Sequence, residues 1–225
     1  MHAGAVGAVG GVGAGASDRR RDRRALRWIL AVSIGEATGF AVAAGTAVFT
    51  IVAGIDDPLR LVLVIAAGAV EGTALAIGQY AGMRADRPRA GWWIVATASA
   101  AAFAWTLGML PSTLGIDLSS PGPLVLVAVG AVLLLVSIPI AQWLVLARPR
   151  PARWVPVNAG AWLVAILWTF TPSPFIDEQS PVALVVALYV TAGVLMAVTF
   201  ACLTAPLALR LFSPAGIARG GHADE

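Results

Sequence analysis

The chain reads as an all-α, polytopic integral membrane protein, with six transmembrane helices in three tandem helical hairpins and both termini cytoplasmic. Three observations predict that class. Of 225 residues, 59% are hydrophobic and only 12% charged, where soluble domains carry roughly a quarter charged residues. Several apolar runs approach or exceed the roughly 20 residues needed to cross a bilayer. The charge is also sorted: every basic residue is Arg, and fourteen of the fifteen fall in the tails and alternate loops, Arg60 alone lying opposite. Positive residues stay on the cytoplasmic side.

Residues 1–27 form a Gly/Ala-rich tail, expected to be disordered up to residue 17, and then a basic cytoplasmic segment, DRRRDRRALR. The tail resembles the apolar part of a signal peptide, but no positive region precedes it and six glycines interrupt it. The basic block stands directly before a span, which favours anionic lipid as its partner and not nucleic acid. The transmembrane domain covers 28–210, with spans near 28–53, 60–83, 91–110, 123–147, 154–171 and 181–208. Residues 211–225 form a cytoplasmic tail.

The odd spans open at Trp28, Trp92 and Trp154, and Arg84, Arg148 and Arg210 close the even ones. The opposite loops carry Asp56 and Asp57, then Asp117, then Asp177 and Glu178. Each group follows an isoleucine, Ile55, Ile116 or Ile176, in steps of 61 and 60 residues. Such a period marks an internal repeat. If the outer acids converge on one mouth they form a vestibule that concentrates cations; otherwise they are solvated turn residues.

The two inner turns are close copies, Gln79 to Trp93 (QYAGMRADRPRAGWW) and Gln142 to Trp154 (QWLVLARPRPARW). This Gln-Trp, Arg-Pro-Arg, Trp pattern, over roughly residues 65–170, resembles a group of uncharacterised bacterial multi-pass membrane proteins that repeat a Gln-Trp helical hairpin. The resemblance brings no activity with it. Gln79 and Gln142 either line an inner gate or hydrogen-bond a neighbouring helix, and packing is the commoner use.

Departures from the repeat carry the functional weight. Glu36 lies about 12 Å in from Trp28 and Glu71 about 18 Å in from Met83 at 1.5 Å per residue. The repeat-related positions are apolar, near Ala100 and Trp162 for Glu36 and near Leu133 or Leu134 for Glu71. A carboxyl at that depth faces the bundle interior, a partner or a cavity. No basic residue lies deep in any span to neutralise it. Each acid is then a neutral proton carrier, half of a hydrogen-bonded pair, or a seat for a transient cation. The packing alternative is a bond to Thr38, Thr73 or a backbone carbonyl. Gly35-x-x-x-Gly39 and Gly68-x-x-x-Gly72 flank the two acids and favour close approach of the first span to the second.

Trp28, Trp92, Trp93 and Trp154 suit an inner aromatic belt, whereas Trp105, Trp162 and Trp168 suit core packing or a cavity wall. Pro139, Pro156 and Pro206 free backbone carbonyls near the inner ends of their spans. The lone cysteine, Cys202, is expected to be a small core residue. His2 and His222 sit in the tails, so no metal site and no cofactor is expected.

The leading expectation is a bundle in the bacterial plasma membrane that moves a proton, small cation or small solute. Its path comprises Glu36, Glu71, Gln79 and Gln142, with Asp56, Asp57, Asp117, Asp177 and Glu178 as an outer vestibule. The alternatives are an intramembrane enzyme on an isoprenoid-like substrate, similar to membrane terpene cyclases, and a non-catalytic subunit. No P-loop motif occurs. Three short hairpins can close on themselves or against a second copy of the chain.

Overall fold

The computed structural model describes residues 11–117, 119–146, 150–177 and 179–212, with side chains from residue 18 onward. Its helices are α1 (Gly11–Val52), α2 (Asp57–Gly82), α3 (Ala90–Thr113), α4 (Pro121–Val145), α5 (Trp154–Ala165) and α6 (Val182–Leu211). Short 3-10 turns, Ile166–Phe170 and Ser173–Phe175, extend α5. No strand occurs among the described residues. Six stretches are long and apolar enough to cross a membrane.

Local chemistry explains most boundaries. Gly54 and Gly115 adopt φ of +63° and +59°, a region open to glycine because it lacks a Cβ. Beyond each, an isoleucine N–H reaches back five residues, Ile55 to Thr50 O at 2.9 Å and Ile116 to Pro111 O at 3.0 Å. The glycine N–H bonds the carbonyl three back, at 3.1 and 3.3 Å. Both are Schellman stops. The repeated Ile-Asp pair is thus the exit from a helix. At the third copy Phe175 replaces the glycine, and α5 ends differently. Thr169 and Thr171 turn their hydroxyls onto the carbonyls of Ile166 and Trp168, both at 2.7 Å. That competition, with Pro172 and Pro174 following, tightens the helix into 3-10 turns.

One boundary differs from expectation. The first helix continues back through the basic block to Gly11. Ala and Arg are strong helix formers, and an established span nucleates the turns before it. Residues 1–10, Arg148, Glu178 and the tail from 213 lie outside the described residues.

Each helix packs on its neighbours in sequence, and α6 closes on α1. The result is a ring of six helices. Backbones approach most closely where glycine sits. A Cβ on Gly35 would stand 2.5 Å from Ala74 O, and one on Gly78 2.4 Å from Ala31 O. Gly39 likewise meets the backbone of Glu71 at 2.7 Å. These contacts bind α1 to α2. The second glycine pair serves α3 instead: Gly68 underlies the Trp105 indole, and Gly72 meets Ala101 and Thr97. Lipid supplies little hydrophobic drive between helices, so such close dispersion contacts hold the bundle. Outward faces remain apolar, for example Ile34, Val62, Leu126 and Phe170. Cys202 is exposed on this lipid-facing side and is not in the core, because Ala201, Thr204 and Ala205 take the inward positions of α6.

The aromatic residues at one end form a plug. Trp28 stacks on Phe212 at 6.3 Å between ring centroids. Trp154 meets Trp93 edge-on at 5.8 Å and Phe212 at 5.9 Å. Trp28, Trp93 and Trp154 are buried, so the expected aromatic belt is corrected for all three. Only Trp92 faces outward, 62% exposed; adjacent helical residues point about 100° apart, so the Trp92–Trp93 pair cannot face one way.

Gly35→Ala and Gly78→Ala should each destabilise the bundle by about 1–3 kcal/mol through overpacking. Gly130, with nothing within 4 Å of its would-be Cβ, should accept alanine without loss. Thermal melting in detergent checks this. Equal midpoints for all three variants would contradict the close α1–α2 crossing.

Candidate functional site

Within the ring lies a cavity of about 420 Å³ lined by side chains from all six helices. On α1 the lining runs from Glu36 to Ile51, and on α3 from Ala101 to Met109. It therefore occupies the half of the bundle towards the acidic loops. Its walls are largely apolar, with Phe40, Leu134, Ile138 and Met196 beside the aromatic Trp105, Trp162 and Tyr189. Glu36 and Glu71 form its deep end.

Both acids are buried, Glu36 completely and Glu71 to 8% exposure. Both carboxyls line the same end of the cavity, on helices whose backbones meet where Gly39 faces Glu71. Trp105 Nε1 donates to Glu71 Oε2 at 2.6 Å, a bond made possible by Gly68, which leaves room for the indole against α2. Among the described residues, no N–H or O–H reaches either oxygen of Glu36. A hydrogen bond between the carboxyls therefore requires a proton on one of them. The expected threonine bonds are not made. Thr38 donates to Ile34 O at 2.6 Å and Thr73 to Ala69 O at 2.8 Å, each within its own helix.

Towards the aromatic plug, a polar layer follows. Gln142 Nε2 donates to Gln79 Oε1 at 2.7 Å and to Thr97 Oγ1 at 3.1 Å. Trp28 Nε1 donates to Thr204 Oγ1 at 3.2 Å. Asn158 Nδ2 bonds Trp154 O at 2.9 Å while its Oδ1 has no protein partner. Neither glutamine lines the cavity. Both cross-link helices beneath it.

The outer acids have local partners. Asp57 pairs with Arg60. Asp117 accepts from Ser119 N at 2.9 Å and Ser119 Oγ at 2.7 Å. Asp177 accepts from Gln179 N at 3.0 Å and Ser180 Oγ at 2.8 Å. These hydrogen bonds hold both aspartates below the ordinary carboxylate range, with Ser119 and Ser180 the largest causes. Asp56 stands at the head of α2 without a side-chain cap. None of these four lines the cavity, and Glu178 lies outside the described residues. Among the described residues no group of three metal-ligating side chains occurs.

Sequence reasoning identified both carboxyls but missed Trp105 as the partner of Glu71, and it missed the layer of Thr97, Asn158 and Thr204. A register signal exists: Thr97 and Asn158 each stand four residues after a plug tryptophan, on the same helix face.

A double-mutant cycle tests the site's one indole contact. Trp105→Phe and Glu71→Leu should couple by at least about 0.5 kcal/mol in unfolding free energy. Additive effects would place the indole elsewhere. No family model, curated protein or solved structure matches the chain, so the functional reading rests on the cavity and its carboxyls.

Proposed function

We propose that this chain is a multi-pass protein of the bacterial plasma membrane that carries a proton, a small cation or a small solute, with Glu36 and Glu71 as its working site. In this reading three tandem hairpins leave both termini on one side, and the Arg-rich loops favour the cytoplasm for that side, with anionic lipid as their partner. The observation carrying this reading is that two carboxyls from different helices line the floor of one cavity built by the whole ring. A carboxyl pair can exchange a proton for a positively charged guest without leaving an unpaired charge in a low-dielectric interior.

The geometry supports a carrier over a channel. The cavity reaches Ile51 at one end, while Trp28, Trp93, Trp154 and Phe212 close the other. In the proposed orientation that is an outward-facing arrangement. Gln79 and Gln142 then act as an inner latch, not as part of the path. Pro139 and Pro206, within α4 and α6, each remove a helix hydrogen bond beside the plug and ease its opening.

One observation favours an intramembrane enzyme as a second reading. The apolar walls and the rings of Trp105 and Trp162 would suit an isoprenoid-like substrate protonated by a carboxyl. Such an enzyme would convert the substrate with no gradient and no net movement.

In proteoliposomes, Glu36→Gln and Glu71→Gln should each abolish proton- or cation-linked flux, with folding preserved as judged by elution and melting. Wild-type flux in both variants would overturn the assignment.

A further inference from the structure

We infer that the guest of this cavity is an amphipathic organic ammonium ion, a protonated amine on an apolar body. This rests on the reading of Glu36 and Glu71 as the working site and names its ligand class.

Four observations converge. A volume of about 420 Å³ falls within the roughly 300–1,000 Å³ typical of small-molecule sites, and a proton alone would need none of it. Divalent inorganic cations are poorly served. Magnesium and calcium require about six or more oxygen ligands, whereas this lining offers the two carboxyls and few other oxygens. A neutral hydrocarbon suits the walls but offers no donor to Glu36, whose two buried oxygens have no hydrogen-bond partner among the described residues. An ammonium N–H supplies that donor, and its charge satisfies the pair. Finally, no Arg, Lys or His lines the cavity to compete for the carboxyls.

The arrangement also sets an orientation. The ammonium sits at the deep end between Glu36 and Glu71, and the apolar body extends towards Ala44 and Ile51. Trp105, whose indole N–H bonds Glu71 at 2.6 Å, and Trp162, packed on Phe200 at 4.4 Å between centroids, both line the cavity, and aromatic faces favour a cation.

The test compares N,N-dimethylbenzylamine with isobutylbenzene, its uncharged isostere, on the full chain in lipid nanodiscs. Radiolabelled amine should bind saturably above empty nanodiscs. Isobutylbenzene should displace it at least about tenfold less well than unlabelled amine, a difference of about 1.4 kcal/mol. Glu36→Gln should weaken amine binding by a similar factor. Equal displacement by the hydrocarbon, displacement by sodium chloride at matched ionic strength, or wild-type affinity in Glu36→Gln would each overturn the inference. The competition arm needs no variant, so a folding defect cannot mask the answer. Saturable amine binding without flux would leave this assignment standing and remove the carrier reading; proton flux without amine binding would do the reverse.

Discussion

Two carboxyls buried in an apolar bundle, with no basic side chain at their depth, must find each other or a guest. The rest of the structure follows from that constraint. An isolated ionised carboxylate in such surroundings is prohibitively costly. Here Gly35, Gly39 and Gly78 let α1 lie closely against α2, which brings Glu36 and Glu71 to the same end of the cavity. Gly68 admits the Trp105 indole, which supplies Glu71 with its one protein donor among the described residues. The same glycine contacts that build the ring therefore also assemble the site.

The bundle divides into a packed half and a hollow half. In the packed half, three tryptophans and Phe212 interlock, and the Gln142–Gln79 bond joins α4 to α2 across the ring. Arginines finish that end. Arg27 donates to Ala81 O at 2.7 Å and Arg150 to Leu144 O at 2.9 Å, satisfying carbonyls at the C-termini of α2 and α4. Cations there also complement the helix dipoles. The basic loops thus serve the fold as well as the orientation read from them. In the hollow half, α5 gives way to 3-10 turns, and the ring is left with space instead of side chains.

Much of this was legible in the sequence, for physical reasons. A carboxyl in an apolar run is visible wherever it stands, so Glu36 and Glu71 were recognisable without coordinates. The helix ends were readable too, although the recurring Ile-Asp pairs denote Schellman stops and local turns, not a demonstrated vestibule. What escaped was direction around the helix axis. Trp28, Trp93 and Trp154 look like belt residues because depth can be counted along a chain, whereas facing cannot be known until neighbours are placed. The same limit hid Trp105 and assigned Gly68 and Gly72 to the wrong neighbour. It also put Gln79 and Gln142 on a path, when their amides bond one another in the packed half.

The central claim is that Glu36 and Glu71 share one environment. Carboxyl-stretch infrared difference spectra of wild type, Glu36→Gln and Glu71→Gln test it most directly. If the two groups are hydrogen-bonded partners, removing either must shift the band of the other. Two bands that each disappear with their own residue, leaving the survivor unmoved, would mean that the carboxyls do not meet. The site described here would then not exist.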